Sequence, residues 1–154
     1  MKTKIIVLFI TTILGVLLGC SKAEDEQNQL NYILIGKGNL YGNGRENISK
    51  QNLVISDTNS WNELITKMNS VNHVSDDFTE INVDFSHYNV IACFDEIKGT
   101  GGHSIDITRI IENENNIIVY MENLLKGNMA TVMTQPYTIV KTEKKPKPII
   151  FEKE

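Results

Sequence analysis

The longest apolar stretch of the chain lies at its amino terminus. Residues 5–18 are almost entirely apolar and follow two lysines, Lys2 and Lys4. A helix that crosses a bilayer needs about 20 apolar residues, so this run is too short for a stable span. A positive amino terminus followed by a short apolar run is typical of a secretory signal peptide. We therefore predict that residues 1–19 are a targeting signal that is removed from the mature protein.

One segment further along the chain has the pattern of an amphipathic helix. Its apolar side chains recur every three or four residues and share one face: Trp61, Leu64, Ile65 and Met68. Residues 57–60 offer several N-cap candidates, and Ser60 and Glu63 have the spacing of a capping box. We predict one main helix over residues 60–69. At this spacing Trp61 is expected to anchor the helix on a sheet, an interpretation that we favour over an exposed ligand platform.

Short apolar runs rich in β-branched residues predict strands over much of the remaining chain. They cover residues 30–36, 53–55, 88–97, 103–111, 117–121 and 137–142, with an edge strand at 149–151. In the run at 88–97, successive side chains that would point to opposite faces of a strand are both apolar, as in a central strand. Gly- and Asn-rich turns separate the strands, and residues 36–52 are predicted to form a loop or open hairpin. We therefore predict an α+β fold, with a mostly antiparallel sheet that forms a β-meander from residue 88 onward and is packed by one main α-helix.

Composition limits the class of protein further. The chain has 154 residues, 41% of them hydrophobic and 22% charged, with a formal net charge of −4. This length suits one domain, which we place at residues 30–154, and the apolar content is too high for a disordered chain. The charge balance argues against a nucleic-acid partner, which usually requires a basic patch. Cys93 lies in a strand-like run, where we expect it to pack as a small hydrophobic residue.

The end of the apolar run carries a sharper motif. Residues 17–20 read LLGC and resemble the bacterial lipobox, which implies cleavage between Gly19 and Cys20 and lipid attached to Cys20. Several acyl chains, at about 0.8 kcal/mol per buried methylene group, would hold the protein at a membrane. Residues 20–29 are polar and include three consecutive acids, which predicts a flexible acidic linker. The acidic cluster resembles the surface-export signal of some bacterial lipoproteins. We therefore expect a lipid anchor in the outer membrane or at the cell surface, with the periplasmic face and the outer surface both left open.

Two further segments resemble a known family. Residues 99–105 read GTGGHSI and residues 134–140 read TQPYTIV. Together they resemble the C-terminal domain of the PrcB family, over roughly residues 88–143. The resemblance implies a non-catalytic lipoprotein subunit that binds, assembles or stabilises a protein partner, plausibly in an exported protease complex. His103 stands where that family usually has a tyrosine.

The two motifs allow a structural and a functional interpretation. Gly101 and Gly102 permit positive φ and a sharp chain reversal, and Pro136 fixes φ at the start of the last long strand. Tyr137 suits a sheet edge, and the Gln135–Pro136 bond could be cis. In the functional interpretation, both segments form a partner-binding surface, with these candidate residues: Thr100, Gly101, Gly102, His103, Gln135, Pro136 and Tyr137.

No catalytic, metal or cofactor motif is found. The three histidines, His73, His87 and His103, have no metal-pair spacing, and Ser104 does not lie in a nucleophile elbow. We therefore predict a protein that is not an enzyme and needs no cofactor. Two alternatives remain open. One is a protease inhibitor that presents the Gly-rich turn and the Gln-Pro-Tyr loop, which resembles small β-sandwich inhibitors of cysteine peptidases. The other is a glycan-binding or small-molecule-binding module that uses Trp61, Tyr41 and Tyr137.

Overall fold

The computed structural model describes residues 28–154, which form seven strands and one α-helix. The elements, in chain order, are β1 (Tyr32–Leu40), β2 (Gln51–Ile55), α1 (Thr58–Met68), a short 3-10 helix (Val74–Asp77), β3 (Tyr88–Phe94), β4 (Asp106–Glu112), β5 (Ile117–Glu122), β6 (Gln135–Glu143) and β7 (Ile149–Lys153). The predicted signal peptide, the lipidation site at Cys20 and most of the predicted linker lie outside these residues. No helix within residues 28–154 is long and apolar enough to cross a membrane.

The strands form two sheets. A four-stranded antiparallel sheet has the order β1-β6-β3-β2, and a three-stranded sheet has the order β4-β5-β7. The only parallel contact among these strands joins β5 to β7. Two apolar cores fill the molecule: one lies between α1 and the four-stranded sheet, and the other lies between the two sheets. The predicted α+β class, with mostly antiparallel strands and one main helix, is confirmed.

β3 is a central strand, as its apolar pattern predicts. Val90, Ala92 and Phe94 pack in the core beneath α1, whereas Ile91 and Cys93 pack in the core between the sheets. Both faces are therefore buried, which is why neither alternation of this strand is polar. Cys93 is fully buried, and burial raises the pKa of its thiol to about 12. It packs as a small hydrophobic residue, as expected.

The predicted meander is correct only for the β4–β5 hairpin. After β3 the chain crosses to the second sheet, and β6 then returns to lie between β1 and β3. Both faces of β3 are apolar, so each face must pack against another layer of the protein. A meander within one sheet supplies neighbouring strands but no second layer. β7 forms the edge of the three-stranded sheet, as the apolar run at 149–151 predicts.

β1 is longer than its sequence indicates. The predicted loop over 36–52 begins only after Leu40, because the backbone of β1 continues to pair with β6 through two glycines. The Phe78 ring covers Gly36, where an added Cβ would lie 2.5 Å from a ring carbon. The tight turn predicted in this region is present, with φ of 53° at Asn43 and 80° at Gly44.

The helix begins earlier than its capping pattern predicts. Asp57 is the N-cap, and its carboxylate accepts a hydrogen bond from the Ser60 N–H at 2.9 Å. The predicted capping box of Ser60 and Glu63 is therefore wrong, because the Asp57 carboxylate caps the first turn of the helix and Ser60 lies inside that turn. The apolar face is as predicted: Trp61 is 1% exposed, and its indole N–H donates to the Ile81 carbonyl at 2.7 Å.

The described chain begins against β4. The Leu30 N–H donates to the Ile110 carbonyl at 2.8 Å, and the Glu112 N–H donates to the Asn28 carbonyl at 2.9 Å. Asn28 and Gln29, which we assigned to the linker, thus lie along the edge of the three-stranded sheet. This contact fixes where the preceding segment meets the folded domain.

Candidate functional site

The Gly-rich turn (residues 99–103) packs against the twelve-residue connection between β5 and β6. We call residues 124–133 the apolar loop. The Gly101 N–H donates to the Ala130 carbonyl at 3.0 Å, and the Gly101 carbonyl accepts from the Asn128 N–H at 2.8 Å. The Gly127 N–H donates to the Gly102 carbonyl at 3.2 Å. These bonds hold the two segments together as one unit, which we call the apolar end.

Two glycines make this close approach possible. Gly102 has φ of 71° and Gly127 has φ of 98°, both in the left-handed region that favours glycine. An added Cβ would lie 2.6 Å from the Asn128 side chain at Gly102 and 2.4 Å from the His103 ring at Gly127. The positive φ predicted for Gly102 is therefore present. Gly101 has no positive φ, and instead its small size leaves room for Val132.

The apolar loop exposes large hydrophobic side chains. Met129 is 98% exposed, Leu125 58% and Leu124 55%, and Val132 and Met133 are also exposed. Several exposed large apolar side chains in one segment are typical of an interaction site. The sequence analysis treated residues 126–128 only as a turn. The signal that it missed is the density of large apolar residues on both sides of that turn, outside any strand or helix.

A buried carboxylate stabilises the base of the apolar end. Asp95 is 2% exposed and contacts Lys50 at 3.0 Å, Lys98 at 3.2 Å and the Asn123 amide at 3.0 Å. Burial by itself would raise the pKa of Asp95. Hydrogen bonds from the Glu96 N–H and from the two lysines outweigh burial and lower this pKa to about 2. Asp95 therefore stays ionised and joins β3 to the loops around it.

Ser104 and Asp106 hold the start of the apolar loop. The Leu125 N–H donates to the Ser104 hydroxyl oxygen at 3.0 Å, and the Ser104 N–H donates to the Leu125 carbonyl at 3.2 Å. Asp106 accepts hydrogen bonds from Ser104 and Lys37. Burial would raise the pKa of Asp106, but these bonds outweigh it and keep the pKa below its usual value. The serine of the first motif thus has a structural role in positioning the loop.

The structure separates the two groups of predicted partner-binding residues. Thr100 and His103 are partly exposed beside the apolar loop, their side chains 2.8 Å apart, and Gly102 is exposed, whereas Gly101 is buried. Gln135, Pro136 and Tyr137 are all buried in β6. These three residues therefore do not form a surface loop, because β6 lies inside the four-stranded sheet with the second sheet and α1 on either side.

The buried residues of the second motif have clear structural roles. The Gln135 side-chain amide donates to the carbonyls of Ile48 at 2.9 Å and Asp95 at 3.0 Å. The Tyr137 ring packs between Phe78 and Phe94, with ring centres 6.2 Å apart in both pairs. Burial raises the pKa of Tyr137 to about 12. The expected position of Tyr137 at a sheet edge is wrong, and the structure has no cis peptide bond in residues 28–154, so the Gln135–Pro136 bond is trans.

The comparison with protein families covers this same region. Residues 90–143 match the family model described as PrcB C-terminal. Over these residues the chain is similar to the PrcB C-terminal family. The predicted resemblance is confirmed, and the match runs from β3 to the end of β6, so that it includes both motifs and the whole apolar loop. No curated protein and no solved structure gives a significant match to the chain.

The described residues include a Ser-His-Asp cluster at the turn before β3. Asp84 and Ser86 both contact His87 through Nδ1, at 2.6 and 2.9 Å, and all three side chains are exposed. A catalytic triad instead joins the carboxylate to one ring nitrogen and the serine to the other. Hydrogen bonds from Ser86 and His87 lower the pKa of Asp84 to about 2. The cluster has the geometry of a capped turn.

The same domain offers little for the glycan-binding alternative. Trp61 and Tyr137 are buried in the core beneath the sheet, and Tyr41 alone of the three predicted rings is exposed. An aromatic platform needs exposed ring faces, which this arrangement does not provide. Within residues 28–154, no group of three His, Cys, Asp or Glu side chains is placed to hold a metal ion.

Proposed function

We propose that this protein is a non-catalytic, membrane-tethered subunit that binds an exported protease through its apolar end. The match to the PrcB C-terminal family model supports a relation to protease complexes. The observation that carries the proposal is the apolar loop. Its five large hydrophobic side chains are exposed on a segment that hydrogen bonds hold in place, inside the region that matches the family.

The energetics favour binding by this loop. Complete burial of one leucine or methionine side chain contributes about 1.5–3 kcal/mol, so Leu124, Leu125 and Met129 together can supply the core of an interface. Binding also costs conformational entropy when loops become ordered. The bonds from the Gly-rich turn and from Ser104 order the apolar loop in the free protein, which reduces that cost. Methionine adds adaptability, since its unbranched side chain fits irregular surfaces.

The membrane tether rests on the sequence around Cys20. We propose cleavage after Gly19, lipid on Cys20, and a location at the outer membrane or cell surface. Confinement of the subunit and its partner to one membrane raises their effective concentration, so that a small apolar interface is sufficient. The inhibitor alternative loses one of its two loops, because Gln135, Pro136 and Tyr137 are buried.

The binding surface is tested by charge substitution in the native host. Leu125→Glu and Met129→Glu together should abolish crosslinking of the full-length lipoprotein to a co-purifying exported protease. Ile150→Glu is the matched control, because Ile150 is an exposed isoleucine on β7, outside the apolar end. Equal recovery of the protease with all variants would overturn the proposal, as would peptide hydrolysis by the purified subunit alone.

The anchor is tested separately. Mass spectrometry of the amino-terminal peptide should find Cys20 as the first residue, carrying a diacylglyceryl group and an amide-linked acyl chain. Cys20→Ser should move the protein from the membrane fraction to the soluble fraction. A mature protein that retains residues 1–19, or that has an unmodified Cys20, would contradict the anchor.

A further inference from the structure

An exposed apolar loop on a lipid-anchored protein has two candidate occupants, which are the acyl chains of the bilayer and an apolar surface of another protein. The position of the loop relative to the tether distinguishes them. We propose that the apolar end faces away from the membrane and binds the apolar surface of a protein, so that Leu124, Leu125 and Met129 do not enter the bilayer. This inference rests on the lipid anchor of the proposed function.

The tether and the apolar loop lie at opposite ends of the domain. Asn28 contacts Glu112, the last residue of β4, whereas Asp106, the first residue of β4, pairs with Glu122, two residues before the apolar loop. The four-stranded sheet has its two ends arranged in the same way. β6 begins at Gln135, two residues after the end of the apolar loop, and ends at Glu143, on the side of the tether.

Distances along the chain make this separation significant. β6 has nine residues, and a strand rises about 3.3 Å per residue, so its two ends lie about 26 Å apart. Eight peptide units join Cys20 to Asn28, and they span about 28 Å at most when fully extended. The apolar loop could therefore point end-on into the anchoring bilayer only if the entire tether ran straight back along the domain. That arrangement requires the tether to be fully extended, which costs it the most conformational entropy.

The end of the domain near the tether is chemically different from the apolar end. It presents the polar β4–β5 turn at residues 113–116 and a lysine-rich segment at residues 144–147, beside the exposed Ile33 and Leu34 at the start of β1. The Lys147 ammonium group bonds the Glu112 carboxylate at 2.7 Å and the Asn113 carbonyl at 2.8 Å, which places the two segments side by side. Polar and charged side chains suit the water and headgroup layer next to a bilayer, where an apolar loop is not required.

Fluorescent labels at the two ends test the orientation. Met129→Cys places a thiol in the apolar loop, and Asn115→Cys places a thiol in the exposed polar turn; the buried Cys93 should remain unlabelled in the folded protein. The lipidated full-length variants are labelled with an environment-sensitive dye and reconstituted into phosphatidylcholine–phosphatidylglycerol vesicles that contain headgroup-attached or acyl-chain-attached spin labels. Urea unfolding of each labelled variant checks that its fold is intact.

We expect the spin-labelled headgroups to quench the dye at position 115 several-fold more than the dye at position 129. The emission at position 129 should match that of the unlipidated Cys20→Ser form. Strong quenching at position 129 by acyl-chain spin labels, in protein whose lipid is confirmed by mass spectrometry, would overturn the orientation and leave the anchor intact. Absence of lipid on Cys20 would overturn the anchor itself, and this inference with it.

Discussion

Replacement of Asp95 by asparagine tests the polar base of the apolar end. Asn keeps the shape of the side chain but removes the charge that Lys50 and Lys98 contact. The pKa of Asp95 is lowered from 3.8 to about 2 by folding. Each pKa unit corresponds to about 1.4 kcal/mol, so ionised Asp95 stabilises the folded state by about 2 kcal/mol at neutral pH. We expect Asp95→Asn to lower the free energy of unfolding by about that amount.

The pH dependence identifies the cause of this loss. A carboxyl group with a lowered pKa in the folded state stabilises the protein above its unfolded pKa, and that stabilisation disappears as the pH falls toward the folded value. For Asp95 the window runs from about pH 4 down to about pH 2. The difference between the original protein and Asp95→Asn should therefore be constant above pH 5 and should shrink through this window.

Urea unfolding followed by Trp61 fluorescence, at several pH values, measures both effects. Glu96→Gln is the matched control, because Glu96 contacts the same lysines but its side chain is 60% exposed. Exposed ion pairs contribute little to stability, so this variant should unfold close to the original protein. The reasoning is refuted if the two variants lose equal stability, or if the loss in Asp95→Asn is the same at pH 2 as at pH 7.

Three other substitutions or reagents give direct readings of the fold. Gly102→Ala places a residue with a Cβ in a left-handed backbone conformation and should lower the free energy of unfolding, measured in urea, by about 1–2 kcal/mol. Gly99→Ala is the control: its added Cβ would meet no atom within 4 Å, so it should lower the free energy of unfolding far less. The Cys93 thiol, whose pKa burial raises to about 12, should not react with a thiol-specific reagent at pH 8 until the protein is unfolded; rapid reaction of the folded protein would contradict its burial. Trp61→Phe removes the hydrogen bond to the Ile81 carbonyl and part of the apolar core. Calorimetry should therefore find that the free energy of unfolding falls by about 2 kcal/mol. Unchanged stability would mean that the indole does not anchor the helix.

The helix and the central strand could be predicted because their patterns depend on local burial. Trp61, Leu64 and Met68 repeat with the period of a helix, and that period is visible without knowledge of the partner sheet. The same is true of β3, since two apolar alternations indicate cover on both faces. The family motifs were also recognisable, because each preserves a local backbone shape.

The strand order and the apolar loop could not be predicted in the same way. Placement of β6 between β1 and β3 depends on contacts more than 40 residues apart, and no local period encodes them. The density of large apolar residues around Leu124 and Met129 is visible in the sequence, but the sequence alone does not show that these side chains are exposed. The surface position predicted for Pro136 and Tyr137 was wrong because proline and tyrosine are common at sheet edges and turns. Here both residues lie in an interior strand of the sheet.

The pairing of β1 with β6 governs when the four-stranded sheet can form. Tyr32 pairs with Thr142, 110 positions further along the chain, so β1 cannot join the sheet until β6 is available. A chain that ends before Gln135 leaves β1 and β3 each with an open edge, which is a site for mispairing and aggregation. Such distant pairings also slow folding. Carboxyl-terminal truncations that reach β6 should consequently abolish the whole sheet, because they remove the strand that joins its two halves.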